Sequence, residues 1–336
     1  MRQELFFGNT FGKKVVHLNM TEYKLPNFLI VGAGKAGTTS LHLYLQQHPE
    51  VFMSPVKETN YFSDADMKFE HFNLDYRQDI GIDIDKYLAG AMDKKVHIAH
   101  IRTWEQYKKL FRDVKEEKAI GEVSNSYLSL PSAAQEIRKK LPGVKIVMIL
   151  RNPVERLYSQ FLMNLKLGKI TEKDLLKEIQ QDESKKEKGW GVSHMYLENG
   201  MYYEQVKRYY NLFPLSQIHI IYFEDFKKDA GAEMKKLFSF LGVDPDFEID
   251  MSEKLNEAGM PRFGKLNYFL TQTGLYKLSK KLISGNLKQK VKNFFYSKEN
   301  IPKMNEEERQ WIVNYYRNDV QELSNLLHRD LAHWLK

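Results

Sequence analysis

The sequence predicts an α/β protein, a P-loop-like three-layer fold with a central parallel sheet flanked by helices. Three observations carry this. Apolar strand-length runs alternate with helix-length amphipathic stretches along most of the chain, the pattern of a parallel sheet covered on both faces. The run KIVMIL at 145–150 is apolar after its first residue, as a strand buried on both sides should be. A glycine-rich turn, Gly32-Ala-Gly-Lys-Ala-Gly-Thr-Thr-Ser40, follows a β-rich run at 27–31 and leads into an apolar helical face at Leu41, Leu43, Tyr44 and Leu45.

Residues 1–25 show little periodicity and read as an irregular arm, leaving 26–336 as a single domain. After the first strand, loop and helix, 51–53 is a short second strand ended by Pro55. The stretch 63–100 is charged, aromatic and irregular, and is expected to be an insertion rather than a core element. Residues 119–123 form a strand, and 133–140 a helix closed by Pro142-Gly143. After the strand at 145–150, Asn152 caps a helix whose first turn holds Pro153. A highly charged helix is expected over 171–188, another helix over 202–212 and a strand over 217–222. Residues 232–241 form a helix stopped by Gly242, and 306–327 a long final helix.

The 336 residues are 42% hydrophobic and 28% charged, which suits a soluble protein with a substantial core. With no cysteine, disulfides, thiolate chemistry and Cys-ligated zinc are excluded. No His/Asp/Glu group shows metal-ligand spacing, and no Ser-His-Asp arrangement is legible. The amino terminus lacks the apolar core of a signal peptide, and no window approaches the about 18 apolar residues of a membrane helix. A cytoplasmic location is expected, with peripheral membrane contact left open. The net charge of +7 is uneven: 262–298 holds nine basic residues and no acid, leaving −2 for the rest. That segment is either a contact for a local anionic partner or a solvated helical face. No recognisable motif accompanies it, so nucleic acid is not an expected partner.

The glycine turn aims backbone amides and a helix amino terminus at an anion. Gly32 and Gly37 have the spacing of a nucleotide-hydrolysing loop, but Thr38 stands where that loop has lysine. The lysine comes earlier, at Lys35. A donor that presents less charge than ATP at this loop can dispense with the metal.

Taken together, the runs FLIVGAGKAGTTSL (28–41), HP (48–49), KETNYF (57–62), GEVSNSYL (121–128) and KIVMILRNPVERLYS (145–159) resemble the PAPS-dependent sulfotransferases. PAPS is 3′-phosphoadenosine 5′-phosphosulfate. The runs NGMYY (199–203), YFEDF (222–226), FLGV (240–243), NEAGMPR (256–262), WIVNYYRNDV (311–320) and LHRDL (327–331) extend the likeness over roughly 26–334. It is nearer to the bacterial and heparan-sulfate branch than to the phenol and steroid branch.

The resemblance implies transfer of a sulfuryl group from PAPS, with PAP as product and no metal, to a hydroxyl or amine. Gly34, Lys35, Ala36, Gly37, Thr38, Thr39 and Ser40 would wrap the 5′-phosphate, with Lys35 on the bridging oxygen. Arg151 and Ser159 would hold the 3′-phosphate, with Arg262 a second candidate there. Arg156 is a weaker candidate, with a pairing to Glu155 or Glu224 as its alternative. Glu58 would be the general base; its alternative is a surface glutamate paired with Lys57. Glu122 either positions the acceptor or is structural. His97 and His100 read as surface or packing residues, although the phenol and steroid branch uses a histidine base. The K-G-R loop of the heparan enzymes is absent, which leaves the closure over the donor open. The charge and aromatic content of 63–100 and 262–298 favour a carbohydrate, glycolipid or other anionic acceptor. The rival readings are a P-loop-type nucleotide kinase and a non-catalytic anion-binding module.

Overall fold

The computed structural model describes residues 23–252, 260–273, 296–297 and 301–336. Most of the irregular arm, residues 253–259 and most of the basic 262–298 segment lie outside the described residues. The chain runs β1 (Phe28–Gly32), α1 (Thr38–Leu45), β2 (Val51–Met53), β3 (Val56–Glu58), α2 (Leu74–Asp79), α3 (Ile84–Ala89), β4 (Val96–Ile98) and α4 (Trp104–Lys109). It continues through β5 (Ala119–Val123), α5 (Ser126–Ser129), α6 (Ala133–Lys140), β6 (Lys145–Leu150), α7 (Pro153–Leu167) and α8 (Leu175–Glu183). Then come α9 (Tyr202–Leu212), β7 (Ile218–Tyr222), α10 (Phe223–Lys228), α11 (Ala230–Leu241), α12 (Gly264–Gln272) and α13 (Glu306–Leu327).

Five strands form a parallel sheet in the order β2-β5-β1-β6-β7. Every residue of β1 and β5 is buried, so helices cover both faces of the sheet. Phe28 pairs with Gly121 across the β1–β5 ladder, and its ring fills the space a side chain there would take. A Cβ at Gly121 would stand 2.3 Å from Phe28 Cζ. Gly121→Ala is therefore expected to lower stability by about 1–3 kcal/mol through overpacking. Thermal melting checks this, and an unchanged Tm would show that the ring moves freely.

The strand order positions the site. From β1 the chain crosses to β2 at one edge, and from β6 it reaches β7 at the other. Connections leaving in opposite directions open a crevice between the carboxyl ends of β1 and β6, where α/β sheets bind ligands. The glycine turn and Arg151 emerge there.

The first helix begins at Thr38, with Gly37, at φ 102°, directly as its N-cap. Several elements differ from expectation. The charged helix expected over 171–188 is helical only in α8, where the Asp174 side chain accepts from Lys177 N and fixes the start. The stretch 63–100, expected to be irregular, carries α2, α3 and β4. Its β4 pairs in parallel with β3, Val56 opposite Val96 and Glu58 opposite Ile98. Met67, Phe72, Tyr76, Ile80 and Leu130 form a buried apolar cluster beneath it. Asn152 does cap α7, accepting from Val154 N at 2.9 Å, and it also donates to Trp334 O near the chain end. No helix among the described residues is long and apolar enough to cross a membrane.

Candidate active site

The glycine turn is pinned to the sheet by Ala33 N donating to Ile149 O at 2.7 Å. Lys35 lies in the left-handed region at φ 68°. Gly37 does too, and a Cβ there would press to 3.1 Å from the Phe223 ring. No side chain caps α1, and its first internal bond is Leu41 N to Gly37 O. The amides of Thr38, Thr39 and Ser40 thus have no partner within the helix and point toward its amino-terminal end. Thr38 is buried and Ala36 fully so, while Gly34, Thr39 and Ser40 are half-buried. Converging amides, hydroxyls and a helix terminus make an anion cradle.

Lys35 Nζ lies 3.4 Å from Met163 Sδ on α7 and has no carboxylate partner among the described residues. Burial, then the charges of Arg151, Arg156, Lys166 and Lys57, pull its pKa down to about 8. A lysine surrounded by cations is in an environment that favours a bound anion. Arg151 Nη1 donates to Lys35 O at 3.0 Å, and its guanidinium lies 4.7 Å from the Phe223 ring centroid. Burial is also the main cause that lowers the Arg151 pKa. Ser159 is half-buried on α7, one turn before Met163 and on the same face, so it belongs to the side that meets Lys35.

Glu58 ends β3 and is 7% exposed, so it is not a surface glutamate. Its Oε1 accepts from the almost buried Lys57 Nζ at 2.8 Å and from Asn125 Nδ2 at 2.8 Å. Oε2 makes no hydrogen bond to a described residue. Asn125 also lies beside the glycine turn, where a Cβ on Gly34 would come to 3.9 Å from its side chain, so it sits between the anion loop and the carboxylate. Glu122 is wholly buried, and its two oxygens accept from Thr59 Oγ1 (3.0 Å), Ser124 Oγ (2.9 Å), Tyr107 OH (3.1 Å) and Tyr127 OH (2.6 Å). Burial raises its pKa to about 7 against the pull of these donors. Ser124 Oγ in turn accepts from Thr59 N at 3.0 Å and Asn60 N at 3.3 Å, fixing the chain just after Glu58. Both Glu122 oxygens are thus taken up by donors of the protein.

The model of the sulfotransferase domain family matches residues 25–323. The chain belongs to the sulfotransferase family. A crystal structure of a sulfotransferase from Alicyclobacillus acidocaldarius superposes with a TM-score of 0.68 at 27% identity, covering 93% of this chain and 100% of that one. The membrane-associated sulfotransferase kil1 of Dictyostelium discoideum is 22% identical over 91% of this chain and 66% of its own length. Bifunctional heparan sulfate N-deacetylase/N-sulfotransferase 4 of Mus musculus is 26% identical over 93% of this chain. The chain spans only 31% of that enzyme's length.

Other residues of this sulfotransferase domain fall into place or depart from expectation. Arg156 does not pair with Glu155 or Glu224. It is buried, with Nη1 on Gln160 Oε1 at 2.7 Å and Nη2 on Tyr196 O at 2.5 Å, and so braces a loop. Glu155 instead holds Arg309 at 2.7 Å, and Glu224 accepts from Asn152 N at 3.0 Å. Arg262 is exposed, and the residues leading to it lie outside the described set. His97 is exposed, and His100 is packed against Asp64 at 2.5 Å. Among the described residues no cluster of three or more His, Asp or Glu could hold a metal. Sequence reasoning missed Lys57 and Asn125 as site members. Asn125 had one signal, its place just past the carboxyl end of a buried strand.

Proposed function

We propose that this domain moves a sulfuryl group from PAPS to a hydroxyl or amine of a carbohydrate or glycolipid acceptor. The observation that carries the reading is the Arg151 bond to the Lys35 carbonyl. It joins the two phosphate-binding elements into one cationic crevice at the switch point of the sheet. The residues present fit such a donor: free helix-terminal amides for a 5′-phosphate, and the remaining Arg151 fork with Ser159 for a 3′-phosphate. Relatives whose names place them on heparan sulfate, and the carbohydrate sulfotransferase 15 of Rattus norvegicus, 27% identical over 66% of this chain, support a sugar acceptor.

The donor supplies the sulfuryl group and a phosphate leaving group. Lys35 stands where negative charge grows on the bridging oxygen as the S–O bond breaks, and a fixed charge there lowers the barrier. Glu58 takes the proton from the acceptor hydroxyl or amine as its oxygen or nitrogen bonds to sulfur. Lys57 and Asn125 hold one Glu58 oxygen still and leave the other for that proton. Glu122 acts through Ser124 and Thr59 as a positioning residue.

Calorimetric titration without magnesium, with PAP, AMP and ATP, tests the donor site. PAP is expected to bind in the micromolar range and AMP far more weakly, with Arg151→Ala weakening PAP by roughly 10–100-fold. Equal binding of AMP, or preference for ATP with magnesium, would overturn the reading in favour of the kinase alternative.

A further inference from the structure

Past its end, β4 keeps its hydrogen bonds to the Glu58 segment: Ala99 N donates to Glu58 O at 2.9 Å, and Ile101 N to Thr59 O at 3.0 Å. His100 therefore falls on the same face as Ile98, which pairs with Glu58, about 7 Å further along. At that point the surface opens into a cavity of about 270 Å³ lined by Phe69, Arg77, Ile80, Ile82, His100 and Arg102. This is slightly below the range of about 300–1,000 Å³ for whole small-molecule sites and suits one sugar-sized group.

We propose that this cavity is an acceptor subsite for the carboxylate or sulfate of a sugar unit neighbouring the one that is sulfated. The inference rests on the carbohydrate sulfotransferase reading above and adds the charge of the acceptor. Phe69 is 44% exposed and presents a ring on which the C–H face of a sugar can rest. The guanidinium carbons of Arg77 and Arg102 stand 5.7 and 5.9 Å from that ring's centroid. Arg77 is oriented by bonds from Nε to Phe72 O (2.8 Å) and from Nη2 to Glu70 O (2.8 Å) and Phe69 O (3.3 Å). Its Nη1 is left without a bond to a described residue. The Arg102 guanidinium has no carboxylate or carbonyl partner among the described residues.

His100 stacks on Phe69 at 5.9 Å and is 9% exposed. Its Nε2 is held by Asp64, while Nδ1 is buried without a partner. Two of the nearby acids are already engaged, Asp64 by His100 and Glu187 by Lys68 and His71. Two guanidinium groups over an aromatic and aliphatic floor match an anionic group carried on a sugar.

The test is titration of the full chain, without donor, with a heparosan octasaccharide, which carries carboxylates, and with neutral maltooctaose. Wild type should bind the first and not the second. Arg102→Ala should weaken heparosan binding roughly 5–20-fold, with Arg102→Lys recovering part of it. In turnover the same change should raise acceptor KM and leave kcat and PAP affinity nearly unchanged. Equal heparosan binding by wild type and Arg102→Ala, or equal binding of both sugars by wild type, would overturn the subsite. Arg102-dependent heparosan binding by a protein that ignores PAP would uphold the subsite and remove the donor reading instead.

Discussion

Lys35→Ala is expected to reduce sulfuryl transfer by roughly 10²–10³-fold, the size of losing one preorganised charge at a developing anion. PAP should still bind, about tenfold more weakly, because the helix-terminal amides and Arg151 remain. Single-turnover transfer and PAP calorimetry separate the two effects. Transfer within a few fold of wild type would mean that another group carries the leaving-group charge.

The depressed Lys35 pKa of about 8 gives this prediction a pH signature. Only the protonated lysine meets an anion favourably, so PAP affinity is full below pH 8 and falls as the free protein loses that proton above it. In Lys35→Ala this fall should vanish. For folding the sign is reversed. The folded pKa lies below the ordinary lysine value of 10.5, so the unfolded chain binds more protons between about 8 and 10.5. Stability contributed by this site therefore rises with pH across that window. At neutral pH the buried charge opposes folding, and Lys35→Met should lose transfer without lowering Tm.

What the sequence made legible follows from how each signal is carried. The strand at 145–150 is apolar because both its faces are covered, and Asn152 and Gly242 mark helix ends by local chemistry. Such features need no tertiary partner to be read. The three-residue strands β3 and β4 are too short to show a period of two, so their pairing, and with it the place of 63–100 beside Glu58, was not visible. The misreading of Arg156 has a similar cause. Its main partner is the carbonyl of Tyr196, and backbone acceptors leave no trace in residue type. The bonds that hold Glu122 were only partly visible: Ser124 and Tyr127 stand beside it in sequence, but Thr59 and Tyr107 come from separate stretches of the chain.

Glu58→Gln should leave PAP affinity within about threefold of wild type and lower kcat by roughly 10²–10⁴-fold, the range for removing a general base. The substitution preserves shape. The amide oxygen can still accept from Lys57 and Asn125, so the loop beside Gly34 stays anchored. What disappears is the basicity of the oxygen left free for the acceptor's proton. Lys57 also loses its counter-charge, which adds positive potential near the donor loop, so any change in PAP binding should be toward tighter affinity. That combination, an intact or improved donor site with turnover lost, distinguishes a base from a carboxylate that merely holds Lys57 in place. A structural carboxylate would give reduced PAP affinity, lower Tm and a modest rate loss. Full activity in Glu58→Gln would remove the assignment and turn the search to other proton acceptors along the β3–β4 edge.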